Sequence, residues 1–478
     1  MKQASTDYDA IVVGSGPNGL AAAITLRQAG LSVLLLEGKD SVGGGMRTAE
    51  LTLPGFHHDI CSAIHPMATL SPFLKSLPLQ DYGLTLIHPP VAAAHPFDNG
   101  HAAALLHSLP ETARSLGADE QTWLQLIQPV VNDWPYIVND VLGPLGIPRH
   151  PLRMARFGLT ALRSAAAVAR RFRTEEARGL WAGLAAHSLL PLSYRSSAAI
   201  GLVLSAAAHI SGWPVVKGGS QSLANALAAY FRASGGEIRT GFYVQDLGQL
   251  PSARAVLLDV SPRQLLQIGG NRFSSFYQSQ LKKYRYGPGI FKVDWALDGP
   301  IPFTAAACRE AGTVHIGNAY TEIAAGELGN WQGKTSRQPF VLLAQQSLFD
   351  DTRAPQGQHT AWAYCHVPNG SNTDMREVIE QQVERFAPGF RKRIIARHVM
   401  NAAQMEAYNP NYIGGDINGG AIDLRQLFTR PALRPSPYRT SAAGVYICSA
   451  STPPGGGVHG MCGYHAAMRA IRDIFSGR

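Results

Sequence analysis

The feature that most constrains the fold is a glycine-rich turn close to the start of the chain. Residues 8–13 are a short apolar, partly β-branched run that predicts a buried strand. The sequence Gly-Ser-Gly-Pro-Asn-Gly follows at 14–19, and small apolar residues at 20–26 predict a helix. After Gly30, residues 31–37 predict a second strand. A strand, G-x-G-x-x-G, a helix and a second strand in this order are typical of the Rossmann dinucleotide-binding unit.

Each glycine of the turn has a physical role in such a unit. The first, Gly14, permits the tight turn, Gly16 lets backbone approach a pyrophosphate, and Gly19 lets the helix pack on the strand. The phosphates then lie at the positive helix N-terminus. Glu37 ends the second strand, where an acid binds a ribose diol. The residues that we expect to contact the dinucleotide here are Gly14, Ser15, Gly16, Pro17, Asn18, Gly19, Glu37 and Gly38.

A second glycine-rich segment, at 40–48, indicates which dinucleotide is bound. It reads Asp-Ser-Val-Gly-Gly-Gly-Met-Arg-Thr and follows Glu37 almost directly. It resembles the second fingerprint of the amine oxidase and phytoene desaturase superfamily, in which the loop closes over the phosphates of FAD. The resemblance implies that the cofactor is FAD, with contacts from Gly43, Gly44, Gly45, Met46 and Arg47.

Two later segments also resemble cofactor-binding parts of that superfamily. A helix, a strand and a further strand predicted within 217–260 resemble the part that covers the adenine. At the C-terminal end, a strand at 444–452 leads through a glycine-rich stretch at 453–464 into an alanine-rich helix. In the superfamily this junction contacts the ribityl chain and the flavin, where a helix N-terminus stabilises negative charge. The further contacts implied are Val244, Ser449, Gly456, Gly457, Val458 and His459.

The resemblance extends over essentially the whole chain. The chain is similar to the phytoene desaturase-like branch and, within it, to the family of pyridine nucleotide-disulfide oxidoreductase domain-containing protein 2, through motifs at 54–59, 291–297, 385–390 and 409–420. It implies an α/β fold, in which a Rossmann-like FAD-binding domain is interleaved with a substrate domain of mixed β-sheet and helices. The five cysteines include no Cys-x-x-Cys pair, so the disulfide relay in the family's name is not encoded.

The order of motifs along the chain predicts two interleaved domains. We assign 1–70, 211–285 and 426–478 to the FAD-binding domain, and 71–210 and 286–425 to the substrate domain. Within the latter, apolar runs at 92–97 and 101–106 flank Asp-Asn-Gly and predict a β-hairpin.

The resemblance implies an FAD-dependent oxidoreductase that dehydrogenates or isomerises a hydrophobic, isoprenoid- or lipid-like substrate. In such chemistry a hydride goes to flavin N5, and the protein positions the substrate and handles one proton. Asp416 and His459 are the candidates for proton transfer, although Asp416 could instead cap its glycine-rich turn and His459 could bond to the cofactor or backbone. His187 and His209 lie in apolar stretches and read as core histidines. The sequence shows no metal-ligand spacing.

Two alternatives remain open at this stage. The first is a flavin amine oxidase, for which Lys292 on a predicted strand would be the lysine near the flavin. The second is an interaction protein in which FAD is structural. A second G-x-G-x-x-G in a suitable context is missing, so an NAD(P)H domain is not expected and the electrons pass to an unknown acceptor, oxygen or quinone. The sequence leaves the oligomeric state open.

The net charge of +9 raises the question of anionic partners. No nucleic-acid-binding motif accompanies the charge, so nucleic acid is not expected. The segment 149–173 contains seven arginines, and no acid occurs between Asp140 and Glu175. Arg156, Arg163 and Arg170 recur every seven residues, which predicts a basic helix face that contacts an anionic membrane or is simply solvated. The short polar N-terminus and scattered cysteines predict a cytoplasmic protein, with peripheral membrane contact through 149–173.

Overall fold

The computed structural model describes residues 6–476. Residues 1–5, part of the N-terminal segment on which the expectation of no targeting sequence rests, lie outside the described range, as do 477 and 478. The strands are β1 Tyr8–Val13, β2 Val33–Leu36, β3 Thr48–Glu50, β4 His57–Asp59, β5 Leu86–Ile87, β6 Val91–Pro96, β7 Ala102–Leu106, β8 Val215–Val216, β9 Glu237–Arg239, β10 Ala253–Leu258, β11 Gly289–Leu297, β12 Ala311–Ile316, β13 Val341–Ala344, β14 His359–Val367, β15 Ile394–Met400 and β16 Val445–Ile447.

The helices of the described residues vary from one turn to six turns in length. They are α1 Pro17–Gln28, α2 Pro66–Leu70, α3 Pro72–Lys75, α4 Leu109–Ser115, α5 Glu120–Val141, α6 Pro151–Ala161, α7 Ala165–Ala169, α8 Glu175–Ala186, α9 Ser197–Ile210, α10 Ser220–Ala233, α11 Pro262–Gly269, α12 Ser275–Lys282, α13 Ala306–Arg309, α14 Tyr320–Trp331, α15 Arg376–Phe386, α16 Ala402–Tyr408, α17 Leu424–Leu427 and α18 Met461–Ala470.

A parallel sheet carries the predicted nucleotide unit. Its described strands run in the order β16-β10-β1-β2-β9, and every neighbouring pair is parallel. The apolar run of β1 is buried on both faces, as parallel sheets require. Helices α1, α10 and α18 contribute to the apolar core on one face, whereas α11 and α12 contribute to the core on the other. The Rossmann-like α/β layer predicted from the sequence is confirmed.

A larger mixed sheet forms the second layer. Its order is β15-β11-β14-β13-β12-β6-β7, and β6 pairs parallel to β12 while the other neighbours are antiparallel. All nine residues of β11 are buried. One face of β11 and β14 packs with α15 through Val293, Ala363 and Cys365, and the opposite face carries Lys292, Tyr364 and His366.

The strands distribute between the sheets by sequence segment. Those of the parallel sheet come from residues 8–36, 237–258 and 445–447, and those of the mixed sheet come from 91–106 and 289–400. The predicted hairpin at 92–106 is formed by β6 and β7. The exact domain boundaries stay a prediction.

The expectation that Arg156, Arg163 and Arg170 share one helix face is wrong. Helix α6 ends at Ala161, and Ser164 begins α7 by accepting a hydrogen bond from the Ala167 N–H at 3.1 Å. Between the two helices, the Leu162 carbonyl accepts a hydrogen bond from the Ser196 N–H, which belongs to neither helix. Arg163 therefore lies outside both helices, and the arginines at every seventh position do not share a helix face.

Candidate functional site

The glycine turn after β1 is shaped by close backbone contacts. Gly14 has a φ of +97°, which favours glycine. A Cβ on Gly19 would lie 1.9 Å from the Gly14 carbonyl oxygen, and one on Gly16 would lie 2.9 Å from the Asp259 carboxylate. Pro17 occupies the first turn of α1, so the helix begins directly after the glycine turn.

Asp259 follows β10 and points at this helix N-terminus. Its Oδ2 accepts a hydrogen bond from the Gly19 N–H at 2.9 Å. Burial raises the pKa of Asp259 to about 7, although the Gly19 bond acts against this and Glu37 adds to it. An acid whose ionisation is suppressed in this way fits beside a site for phosphates.

Glu37 connects the first glycine turn to the second. Its carboxylate accepts from the Ser15 N–H at 3.0 Å and from the Lys39 N–H at 2.9 Å, and it pairs with the Arg47 guanidinium at 3.0 Å. Gly38 lies beside it, where a Cβ would come within 2.8 Å of the Tyr243 ring. Val244, next to that tyrosine, is buried.

The second glycine segment folds against the first. The Gly43 N–H donates to the Ser15 carbonyl at 3.0 Å, and a Cβ on Gly44 would lie 2.8 Å from the Gly16 Cα. Residues Gly44–Met46 form a 3₁₀ turn with Met46 buried. A Cβ on Gly45 would reach to 2.5 Å of the Tyr412 hydroxyl and 3.9 Å of Cys61.

The C-terminal motif packs onto the same helix. A Cβ on Gly463 in α18 would lie 1.8 Å from the Asn18 carbonyl oxygen, and one on Gly460 would lie 2.8 Å from the Ala21 Cβ. Ser449 is buried at the end of β16, and Val458 packs partly buried on the apolar core. Backbone geometry accounts for the two glycines of this motif. Gly457 has a φ of +126°, and Gly456 lies close to the Asn418 main chain. The structure thus brings the three motifs together around the start of α1.

The two proposed proton-transfer residues are both buried and hydrogen-bonded. Asp416 accepts from the Gly287 and Asn418 N–H groups, both at 2.8 Å, and burial raises its pKa. His459 accepts from the Met461 N–H through Nδ1 at 3.0 Å, and burial lowers its pKa to about 4. Each side chain has a structural task, and a role in proton transfer stays a prediction.

A buried charged cluster lies where β4 meets the mixed sheet. Lys292 and Asp294 form an ion pair with fully buried side chains. The pKa of Asp294 is lowered: burial acts to raise it, but Lys292 and a bond from His398 outweigh that effect. His58 approaches Asp294 at 3.7 Å, yet burial lowers its pKa to about 4, so it is neutral at pH 7.

A second buried group occupies the same sheet face, and sequence reasoning missed it. His366 on β14 directs Nδ1 to the Glu327 carboxylate of α14 at 2.8 and 2.9 Å, and both side chains are about 1 % exposed. The carboxylate fixes the proton on Nδ1, so Nε2 carries the lone pair. Nε2 is buried and has no hydrogen-bond partner among the described residues.

Aromatic rings and further histidines surround this dyad. The Tyr364 ring lies 5.7 Å from His366, and Phe340 lies between His366 and His315 with ring distances of 5.9 and 5.7 Å. His315 Nε2 in turn lies 2.9 Å from Nε2 of His187, which is half-buried. Burial, with smaller effects of Cys61 and Glu327, raises the pKa of Tyr364.

Another residue that the motifs did not indicate is Arg430. It is 2 % exposed and donates to the Ala450 carbonyl at 2.7 Å and the Ser451 carbonyl at 3.3 Å. Its Nη1 is buried without a partner in the part of the chain that is described, about 3.7 Å from where a Cβ on Gly455 would lie. A lone arginine fifteen residues before the start of β16 gives no spacing signal.

These contacts fit FAD. The turn of Gly14, Gly16 and Gly19 is a cradle that any Cβ would fill, at the end of a helix that attracts phosphate. Glu37 directly follows β2, where a ribose-binding acid is required. Asn18 Oδ1 and Arg430 Nη1 are buried polar atoms without partners among the described residues, the first in the N-terminal glycine motif and the second beside the C-terminal one. Fold and site together define a dinucleotide-binding flavoprotein oxidoreductase.

Comparison with known proteins identifies the family. The sequence profile of flavin-containing amine oxidoreductases matches residues 18–264, just over half of the chain. The chain belongs to this family and is an FAD-dependent oxidoreductase. It is 24 % identical to mouse pyridine nucleotide-disulfide oxidoreductase domain-containing protein 2, over 98 % of this chain and 94 % of that protein.

Two further likenesses cover the branches considered above. The neurosporene-forming phytoene desaturase of Rhodobacter capsulatus is 24 % identical over 52 % of this chain and 51 % of its own length. A crystal structure of wild-type putrescine oxidase bound to putrescine superposes with a TM-score of 0.62, at 17 % identity, over 98 % of this chain and 99 % of that one. The latter shows a shared fold.

Proposed function

We propose that the protein dehydrogenates or isomerises a hydrophobic, isoprenoid- or lipid-like substrate, and that His366 exchanges the proton. The bound flavin supplies the hydride acceptor, at N5. The observation that carries the proposal is the free, buried Nε2 of His366, held by Glu327 on the sheet face that also bears Tyr364. An imidazole whose Nδ1 is held by a carboxylate presents Nε2 as a suitable general base.

Glu327 acts through His366. Its two oxygens hold the Nδ1 proton, which orients the ring and stabilises the imidazolium that forms when Nε2 takes the substrate proton. Trp362, Tyr364 and Phe340 supply aromatic surface on the same side. Because the dyad is buried, water is excluded from the proton-transfer step and an apolar substrate is favoured.

An amine oxidase is the second candidate, since Lys292 is buried on β11 and putrescine oxidase shares the fold. Against it, the carboxylates of Asp294 and Glu327 are already engaged, the first by the Lys292 ammonium and the second by a hydrogen bond from His366 Nδ1. A protonated amine would therefore find no free carboxylate there to pair with.

The test is anaerobic reduction of the purified holoprotein. Partly saturated isoprenoid hydrocarbons and aliphatic diamines are added separately, and bleaching of the flavin absorption band is recorded. We expect bleaching by an isoprenoid and none by putrescine. Bleaching by diamines alone would favour the amine oxidase. A stable FAD that neither class reduces would favour a structural cofactor and contradict the proposal.

The electron acceptor is proposed from the sequence alone as oxygen or a quinone. Reoxidation of the reduced protein by air and by a soluble quinone, in separate experiments, distinguishes the two.

A further inference from the structure

Large apolar side chains are concentrated on one exposed part of the surface, around α6. We call this the α6 patch. Ile147 is 96 % exposed, Leu152 88 % and Leu159 71 %, with Leu145 and Leu162 also largely exposed. Contiguous exposed leucines and isoleucines of this kind mark an interaction surface in proteins that are otherwise well packed.

The geometry of α6 turns these residues outward. Leu152 and Leu159 are seven residues apart and share one face, and Leu162 caps the same helix. Phe157 and Ala161 lie on the opposite face and are buried. The inner face of α6 is apolar because it packs on the core. Its outer face also carries apolar side chains, which a helix that faces only water does not require.

The surroundings of the patch are strongly basic. No acid occurs from 141 to 174, and the arginines form two groups. Arg153 and Arg156 both pair with the single carboxylate of Asp133 of α5. The other exposed arginines form no ion pair within residues 6–476: Arg149, Arg163, Arg170, Arg171, Arg173 and Arg195.

An open groove of about 680 Å³ runs beside α6. It is lined by apolar and small residues that include Leu159, Leu162 and Ala167, and by Arg163 and Arg195. Two guanidinium groups beside apolar lining match a phosphate attached to acyl chains.

We propose that the α6 patch lies on the surface of an anionic phospholipid bilayer, with the leucines at the acyl boundary and the free arginines at the headgroups. Apolar side chains next to unpaired cations are the pattern of interfacial helices. A second copy of the chain suits the surface less well, because a symmetric pair would bring the free arginines of both copies together.

Contact from one side is the mode of attachment proposed. No helix in the described range is long and apolar enough to cross a bilayer. The proposal concerns a surface and does not depend on the substrate, so it can fail while the proposed function stands.

The test is co-sedimentation of the holoprotein with vesicles of phosphatidylcholine, alone or mixed with phosphatidylglycerol. We expect binding to the mixed vesicles that weakens with salt. The variant Leu152→Ser/Leu159→Ser/Leu162→Ser should bind at least ~10-fold more weakly. Arg163→Gln/Arg170→Gln/Arg171→Gln should lose roughly fivefold per arginine at low salt and become less sensitive to salt.

Matched controls keep the result interpretable. Leu433→Ser removes a leucine that is 69 % exposed outside the patch, and Arg337→Gln removes an exposed arginine outside it. Both should bind like wild type, and flavin content should be unchanged in all variants. The proposal would be overturned if the wild-type protein did not bind the mixed vesicles. So would leucine variants that bind normally, or a wild-type dimer that the leucine variant converts to monomer.

Discussion

The cofactor half of the protein is built from glycines and backbone groups, whereas the substrate half places paired ionisable side chains on strands. In the first, contacts such as Gly19 against the Gly14 carbonyl leave no room for a side chain. In the second, Lys292–Asp294 and His366–Glu327 are buried and matched with each other. Close backbone packing that leaves no room for side chains therefore defines the cofactor half, and the pairing of buried side chains defines the substrate half.

The largest effect is expected at Gly19. In Gly19→Ala the new Cβ would lie 1.9 Å from a backbone oxygen, so the turn must open and FAD should be lost altogether. Flavin released per chain on denaturation measures this. Gly158→Ala is the control, because a Cβ at that position of α6 meets nothing within 4 Å. Equal FAD content in both variants would mean that the turn does not hold the cofactor.

The next largest effect is expected when the His366–Glu327 dyad is changed. His366→Gln should slow flavin reduction by the accepted substrate about 10²–10⁴-fold, because a general base is removed. Glu327→Gln should slow it less and shift the pH profile, since the imidazolium loses its carboxylate. Rapid anaerobic mixing gives both rates. The half-buried His209, bonded to the His107 carbonyl at 3.1 Å, supplies the control His209→Gln. Full activity in His366→Gln would remove the histidine from the mechanism.

The ion pair tests pairing in the substrate half by stability. Lys292→Met leaves the Asp294 carboxylate buried without its cation, which should lower the free energy of unfolding by about 3–5 kcal/mol. Lys292→Met/Asp294→Asn should recover most of that loss. Urea denaturation measures both, with exposed Lys334→Met as control. If the single and double variants were equally unstable, packing of the lysine stem would be what matters.

A smaller, pH-dependent effect is expected in the cofactor half. The pKa of Asp259 is about 7 in the folded chain against 3.8 as its ordinary value, so the folded chain binds more protons between these values. The contribution of Asp259 alone to stability should therefore fall as pH rises from about 4 to about 7. Asp259→Asn removes this contribution. The free energy of unfolding of the variant should therefore rise relative to that of wild type by a few kcal/mol across this pH range, and the difference should stay constant above it.

Thermal or urea unfolding over this pH range tests the sign. Exposed Asp40→Asn should show no such trend. An advantage that shrinks with rising pH would show that Asp259 is stabilised as the anion by the α1 N-terminus.

The same contrast explains what the sequence could predict. The turn at 14–19 and the hairpin at 92–106 are local patterns whose residue types follow from backbone geometry, and both predictions are confirmed. The spacing of Arg156, Arg163 and Arg170 predicted one shared helix face. Instead, Ser164 begins a new helix, and the Leu162 carbonyl accepts a hydrogen bond from the Ser196 N–H. Periodicity alone does not show such a tertiary hydrogen bond.

The dyad could not be predicted for a different reason. His366 and Glu327 are 39 residues apart, on a strand and a helix, and only the packing of α14 on β14 joins them. A single histidine on an apolar strand reads as a core residue. Lys292 was noted on its strand, but its partner Asp294 and its burial required the sheet.

The central claim is that both halves meet on one flavin. The most direct measurement is an experimental structure of the holoprotein that locates the isoalloxazine ring. We predict a ring that reaches the β11–β14 face bearing Lys292, Tyr364 and His366, with its dinucleotide at the Gly14–Gly19 turn. A ring on the opposite face, beside Val293 and Cys365, or one separated from His366 by packed core, would contradict the account.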